Sequence, residues 1–582
     1  MRNAFAQRAE QAIILALKSC LCSLVFSAHA VTCDHSMPGV KALYWGDLHV
    51  HTAYSLDAYA FGAIATPKEA YAFAKGQPLR MADGTTTSLD RPLDFAAVTD
   101  HGATFDVMYV CTDPMYADNA YCNAIREGRD SKGKLARHIF NTYLLPLVSD
   151  SPPQPAEICE KDGLDCAAAS ASQWRRTQFA ANEANEPCAF TALIGYEWTP
   201  SPGGRHWHRN VIYRSERVPD QIFDYIRYPQ VGALWQALAA ACTVEDGCDV
   251  LTIPHNINWA DGGTFEVERA PEAELAARAR FERLAEVHQE KGNSECLPED
   301  RNDTDADCAF ERLITNAAKE RLTGREDLTE AQVWANARSS YYRTLLGRGL
   351  AAYESSGGQR NPLMLGAIGS TDTHFGTAGK VSGDDFFGGI SSLWLTDEER
   401  LGAPGYNPGG LVAVWAEENT RAAIFDALKA RSAYATSGPR IRLRFGVSAA
   451  NACEQAAPKF APFMGELLDS AKSPTFTVQA ARDRQRLASV HLVKGGLVNG
   501  EYEERTVVLA DFADGRDTAC VSWRDPDYDP ASPAYWYARV LEKPSPRWTK
   551  NLCERTGLCE RFPDQDVRVQ QRAWSSPIWR LP

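Results

Sequence analysis

Between residues 41 and 440 the chain repeats one pattern, a short apolar run followed by a longer stretch with helical signals. The runs Leu93 to Thr99, Phe190 to Tyr196, Val250 to Ile253 and Leu363 to Ile368 have the length and unbroken apolar character of buried strands. Thr66-Pro67-Lys68-Glu69 predicts an N-cap, a proline at the first helical position and a capping box. Thr329 with Gln332 predicts a second box, ahead of a helix toward Tyr353, and Asn419 or Thr420 opens a third helix ending near Arg431. Strands alternating with helices imply an α/β fold with a parallel sheet or barrel. Residues 111–190 and 296–345 are less regular and read as insertions around the barrel mouth, either shaping substrate access or only adding stability. After Pro439 the period changes to two. Ile441 to Phe445, Phe476 to Ala480, Val490 to Val493 and Tyr535 to Val540 predict antiparallel strands with one wet face. This tail reads as a small β-sandwich packed on the barrel.

A chain of 582 residues exceeds one ordinary core, so more than one domain is expected: a leader over 1–30, a β/α unit over 31–440 and a β-rich unit over 441–582. Arg2 and Arg8, the mostly apolar stretch Ala12 to Ala28 and the small-residue site Ala28-His29-Ala30 form the pattern of a secretory signal. Lys18 interrupts that stretch, and a membrane anchor or a misplaced start is the alternative. No other segment approaches the roughly 20 apolar residues of a membrane span, so the mature chain is expected to be soluble and exported, periplasmic or secreted. Fourteen cysteines remain once Cys20 and Cys22 leave with the signal. Cys111/Cys122, Cys159/Cys166, Cys242/Cys248, Cys296/Cys308 and Cys553/Cys559 each close a short loop, as an exported chain tolerates. Cys33, Cys188, Cys453 and Cys520 need distant partners that spacing does not assign. The net charge of −14 argues against a nucleic-acid surface, which needs a basic stripe. A small anionic substrate stays open, because bound cations reverse a local potential.

The chemistry gathers where the strands end. His49 and His51 follow the first strand with spacing that puts both imidazoles on one side, and Asp57 comes just after. Asp100 and His101 end the second run, Glu197 the third, His255 the next, and Asp372 with His374 the last; His208 follows in Trp207-His208-Arg209-Asn210. The C-terminal ends of strands are where α/β folds gather ligands, and only 12 histidines exist in the whole chain. Each residue alone has an ordinary structural role open to it. Asp100 orients a neighbour or binds metal, and Asp47 is expected to hold a ligand imidazole by its other nitrogen. Together they predict a metal cluster.

The order H-x-H-T-x-x-S-x-D, T-D-H, a strand-end Glu, an isolated strand-end His and D-x-H resembles the PHP superfamily, named for polymerase and histidinol phosphatase domains. Runs such as GDLHVHTAYSLDAYAFG, LDFAAVTDHG, LIGYEWTP and GSTDTH, with the C-terminal RAWSSPIW, look closest to a secreted bacterial PHP-like family of largely uncharacterised function. The resemblance implies a distorted (β/α)7-type barrel with up to three metals at its mouth. One metal would be held by His49, His51, Glu197 and Asp372, a second by Glu197, His208 and His255, and a third by Asp57, His101 and His374. His206, on the same strand face as His208, competes for its place. Asn256 stands where PHP proteins often have proline. If the third position is empty, Asp57 and His374 become hydrogen-bonding groups. Glu286 to Glu295 also matches a family run; its Lys291 would meet an anion or be a solvated loop charge. Amidohydrolase barrels begin with H-x-H too, but they use a bridging lysine and a lone final aspartate.

Mixed His, Asp and Glu donors suit two or three divalent ions of zinc, manganese or iron. Ions bridged by Glu197 would share a water whose pKa falls toward neutrality, giving a hydroxide nucleophile. Arg209 or Lys291 would stabilise anionic oxygens in the transition state, and Asp372 or His101 would pass a proton to the leaving oxygen. The reading is a metal-dependent hydrolase acting on a small-molecule phosphoester. Hydrolysis of a carboxylic ester, sulfate ester or amide on the same site is the alternative, as is an envelope protein that binds metal without catalysis.

Overall fold

The structure is a computed structural model, and it describes residues 33, 39–130, 138–149, 153–161, 164–297, 305–312, 329–383, 386, 395–402, 405–455, 458–563 and 567–582. The leader expected over 1–30 lies outside the described residues, as do parts of both insertions.

Three apolar runs form parallel neighbours: β1 (Ala42–Asp47), β2 (Phe95–Val98) and β3 (Thr191–Trp198). β4 (Arg209–Tyr213) and β5 (Val250–Pro254) extend the sheet antiparallel. β6 (Leu284–Gln289) and β7 (Gly366–Gly369) pair parallel in a separate sheet. The expected barrel is met in part, as a mixed α/β sheet. Among the described residues no ladder joins β5 to β6, and just past β1 a single parallel bridge, Val50 to Thr373, links that side to the β7 side. The edge of β1 that a barrel would give to β7 pairs instead with β8 (Leu411–Ala416), antiparallel, and β8 in turn pairs with β9 (Ala433–Thr436). Gly46 lets β1 lie flat on β2, since a Cβ there would fall 2.2 Å from the Phe95 ring.

Helices cover the sheet where capping and periodicity predict them. α1 (Pro67–Ala74) has the Thr66/Glu69 capping box. α2 (Phe105–Thr112) and α3 (Cys166–Ala184) pack beside it, and α3 buries Gln173, Trp174, Thr177 and Ala181 at helical spacing. The helix expected from Thr329 toward Tyr353 divides at Ser339 into Glu330–Arg338 and α4 (Tyr342–Ser355). Thr420 caps α5 (Arg421–Lys429).

Past residue 440 the strands are antiparallel, as their alternation predicts. β10 (Arg442–Val447), β11 (Thr475–Ala481) and β14 (Thr518–Arg524) form one sheet around β12 (Leu487–Val498) and β13 (Glu501–Arg516) in chain order. Phe476 from that sheet meets Trp536 of β15 (Ala534–Glu542) at 5.0 Å between ring centroids, which closes a two-layer apolar core. The second layer is not a separate sheet. β16 (Arg572–Ser575) hydrogen-bonds to β15 on one side and to β9 on the other. One sheet of twelve strands thus runs β13-β12-β15-β16-β9-β8-β1-β2-β3-β4-β5, with β17 (Ile578–Arg580) beside β15. The five short-loop disulfides join as spacing predicts, and the remaining four cysteines pair as Cys33–Cys188 and Cys453–Cys520.

Candidate metal centre

Past their regular ladders the strand tails stay zipped together. The His51 N–H donates to the Thr373 carbonyl (2.8 Å), Asp372 N–H to His49 O (3.0 Å), Thr99 N–H to Val50 O (2.8 Å) and Glu197 N–H to Asp100 O (2.9 Å). Leu48 and Val50 point into the core and are fully buried, so the period of two turns His49 and His51 to the opposite side. Backbone pairing across four tails thereby gathers donors that lie up to 323 positions apart, from His49 to Asp372.

Four donor atoms lie close together. His49 Nε2 lies 3.1 Å from His51 Nε2, 3.4 Å from Glu197 Oε2 and 3.2 Å from Asp372 Oδ1. His51 Nε2 lies 3.3 Å from both Glu197 Oε2 and Asp372 Oδ1. Donors about 2.0 Å from one zinc sit ~3.3 Å apart, and His49, His51 and Asp372 can offer such atoms to one ion, as can His49, Glu197 and His255. The quartet is the one expected for the first metal. The other oxygen of Glu197 faces His208 Nδ1 at 2.9 Å and His255 Nε2 at 3.5 Å. Asp57 Oδ2 lies 3.1 Å from His101 Nε2 and 3.4 Å from His374 Nε2, and His51, His101 and His374 can offer nitrogens to one ion. All nine expected ligands come together, and all are buried.

These atoms fit a cation better than they fit each other. Both oxygens of Glu197 and both ring nitrogens of His255 are buried without an aligned hydrogen bond. Orphaned buried polar atoms cost roughly 1–3 kcal/mol each, more when charged. The protonation pattern agrees for the carboxylates, His51 and His208. Burial lowers His49 and His101 too, but Asp372 and Glu286 raise the first, and Asp57 and Glu197 the second, well above the ordinary value. Each of these two would give up a proton on binding an ion. Burial would raise the Glu197 carboxyl, but His101, His208 and His255 hold it well below its ordinary value. Burial is likewise outweighed at Asp57 by His101 and His374, and at Asp372 by His49 and Lys291. Burial lowers His51 to about 4, helped by His374 and His101, and lowers His208 to about 4 against the pull of Glu197. Ionised carboxylates and neutral imidazoles are the forms that ligate metal.

The far sides of the imidazoles are held by residues the sequence does not single out. His49 Nδ1 faces both Glu286 oxygens at 3.2 Å. His51 Nδ1 meets Ser55 Oγ at 3.0 Å, and Ser55 donates to Asp100 (2.7 Å). His101 Nδ1 meets Thr199 Oγ1 at 2.9 Å, and His208 Nε2 meets Ser201 Oγ at 2.7 Å. Asp100 therefore orients a neighbour. Asp47 is corrected: it accepts from the N–H groups of Thr371, Gly379 and His49 and from the Thr371 hydroxyl, bracing backbone rather than an imidazole. Arg209 is corrected too. Its guanidinium donates to Glu282, Trp207 O and Thr264 O on the far face of β4. The strand period held that signal, since adjacent residues His208 and Arg209 must point apart. Lys291 is no solvated charge; it is buried and its ammonium contacts Asp372 and Glu290. His206 stacks on His208 at 4.5 Å and turns its Nδ1 to Asn256, leaving the Glu197 contact to His208. Asn256 has φ +52°, which proline's fixed φ forbids.

A mixed α/β sheet with buried His, Asp and Glu donors at its strand ends defines an α/β protein with a candidate metal centre. The chain belongs to the family described as "Protein of unknown function (DUF3604)", whose model matches residues 39–518 and 510–582. No curated protein matches it. Among solved structures it is similar to a two-domain protein from Bacteroides vulgatus containing a predicted PHP-like metal-dependent phosphoesterase. That likeness has 11% identity and a TM-score of 0.28 over 87% of this chain and 94% of that one; it is too loose to carry an argument.

Proposed function

We propose that this chain is an exported, PHP-type metal-dependent hydrolase that cleaves a small organic phosphoester. The observation that supports the reading is that His49 and His51 each lie 3.2–3.4 Å from both Glu197 and Asp372, beside the buried ammonium of Lys291. Nine ligands suit two or three divalent ions, of zinc, manganese or iron. When bound, such ions lower the pKa of a water and draw charge from an ester oxygen. The protein's own part is to hold the donors rigidly and to supply charge. Glu286 and Ser55 fix the rings of His49 and His51. Lys291 offsets the anionic oxygens of the bound ester, a role closed to Arg209 because its guanidinium is held by Glu282, Trp207 O and Thr264 O on the far face of β4. Where no third ion binds, His101, held by Thr199 and raised by Asp57 and Glu197 against burial, would hand a proton to the leaving oxygen. Asp372, held ionised against burial by His49 and Lys291, has none to give. Seven disulfides suit an oxidising compartment, and no described helix is long and apolar enough to cross a membrane.

The test is metal analysis of the purified protein together with hydrolysis of p-nitrophenyl phosphate, bis(p-nitrophenyl) phosphate, sulfate and acetate esters, before and after chelation. Two or three ions per chain and phosphoester turnover that chelation abolishes and manganese or zinc restores are expected. Turnover on sulfate or carboxylic esters alone would move the substrate class. Metal-free protein, or turnover untouched by thorough chelation, would overturn the proposal.

A further inference from the structure

Outside the metal centre, α1, α2 and α3 border a groove of about 630 Å3, lined by Tyr54, Lys68, Tyr109, Arg175, Arg176 and Phe179. Two features of its wall bear on what it can hold. The first is the solvent side of α3. Ser172, Arg175, Arg176, Phe179 and Glu183 recur at steps of three and four, so they share one face, opposite the buried Gln173, Trp174, Thr177 and Ala181. On that face Phe179 is 62% exposed, and the ring has no apolar layer above it. The second is charge. On a chain of net charge −14, the wall carries the cations Lys68, Arg175 and Arg176 against Glu183 alone. Lys68 is answered by Glu183 at 3.4 Å and Arg176 by Asp113 at 3.7 Å. Arg175 donates only to Ser172 Oγ, at 2.9 Å, and meets no carboxylate among the described residues. Arg176 already shows what the groove favours, lying 4.3 Å from the centroid of the Tyr109 ring, a cation held on an aromatic face.

We propose that this groove binds an aromatic anion. The planar ring of the ligand covers Phe179 and lies along the Tyr54 and Tyr109 side, and its acidic group, a carboxylate, sulfonate or phosphate, pairs with Arg175. A guanidinium suits such a group because its planar fork matches two oxygens at once. An uncharged ring would leave Arg175 without its partner. An anion without a ring would leave Phe179 in water. The inference is independent of the hydrolase reading, because it concerns binding and uses none of the metal donors.

The probe is 1-naphthalenesulfonate, which has a planar ring and no hydrolysable bond. Its fluorescence is followed while it is titrated with the full chain. Saturable one-to-one binding is expected, weakened roughly tenfold in Arg175→Ala and in Phe179→Ala. Both positions face solvent, and circular dichroism with a melting curve verifies that the two variants keep the fold. 1-Naphthalenemethanol, the uncharged analogue, is expected to bind at least about tenfold more weakly than the sulfonate, and His49→Ala, which alters the metal centre, to leave the sulfonate affinity unchanged. Absence of saturation, affinities unchanged in both groove variants, or loss of sulfonate binding in a folded His49→Ala chain would each overturn the proposal, the last by moving the ligand to the metal centre.

Discussion

The molecule buries two clusters of charge, and they are built on opposite principles. Around Glu295 every acid finds its own counter-ion. Glu295 is fully buried and accepts from Arg343 (2.8 Å), Tyr537 (2.6 Å), Arg539 (3.2 Å) and the Trp574 indole (2.7 Å). Asp305 takes Arg343 (2.7 Å) and Arg539 (2.9 Å), and Arg572 reaches Asp307 (3.2 Å). At the metal centre the acids face mainly imidazoles, Glu197 has no aligned donor, and neighbouring His rings crowd to centroid distances of 4.0–4.3 Å. Buried ion pairs hold only when geometry satisfies both partners. The Glu295 cluster comes close to that condition from within the chain, leaving Arg539 Nε unpaired among the described residues, and ties the region before residue 312 to β15 and β16. The metal centre does not, and that incompleteness marks it as a place for something added from outside.

Four measurements press on this contrast, in falling order of effect. His49→Ala should lower phosphoester turnover by ~10³-fold or more, the scale of losing several kcal/mol of metal stabilisation, and should reduce bound metal while the far-ultraviolet circular dichroism stays native. Unchanged turnover would remove His49 from the centre. Glu295→Ala should do the reverse: metal content stays, and stability in denaturant falls by about 3–5 kcal/mol because two buried arginines lose their partner. The third test is acid. Burial would raise the Glu295 carboxyl, but Arg539 and Arg343 lower it to about 2, from an ordinary 4.5. A depressed carboxyl stabilises the fold fully above its unfolded value and loses that contribution as pH falls through the folded one. Unfolding free energies compared for wild type and Glu295→Gln should therefore differ at pH 6 and converge between pH 4.5 and 2, with on the order of 3 kcal/mol at stake. A gap that does not change with pH would contradict the assignment. The smallest effect is Glu286→Gln, expected to weaken metal binding by roughly 10–100-fold, the usual cost of losing a carboxylate that orients a ligand imidazole. A competition titration with a chelator reads it, and an unaltered affinity would leave Glu286 with no part in holding His49.

The two clusters differ as much in how far they can be read from sequence. Most of the candidate metal donors are legible because they close a short apolar run, and strand ends converge in α/β folds; Asp57, on the helix Leu56–Ala60, and His208, just before β4, are not marked that way. The supports of the donors are not legible. Glu286 lies 237 positions from His49, and although the run Glu286 to Glu295 resembles a family segment, nothing in it says which imidazole Glu286 holds. Glu295 is equally mute, its partners Tyr537, Arg539 and Trp574 lying beyond residue 500. Arg209 was open to sequence reasoning through strand alternation. Asp47 was less so, because it shares a face with His49 yet is claimed by Thr371 and Gly379. Local periodicity reads the elements well, from the capping box at Thr66 to the alternation of β10. It does not read the edge that β1 offers to β8 in place of β7, since pairing choice depends on strands more than 300 residues away.

The unbroken sheet also decides what happens if the chain is cut. β9 ends at Thr436 and is flanked by β8 on one side and β16 on the other. Proteolysis near residue 440, followed by loss of the distal piece, would strip β16 away and leave the N–H and C=O groups of Ala433–Thr436 facing water. A bare edge of that kind is a template for another strand. The N-terminal fragment would then pair with whatever extended segment it meets, and the natural competitor is its own missing piece, returning as a donor strand. The two halves of this polypeptide are thus each other's protection against aggregation.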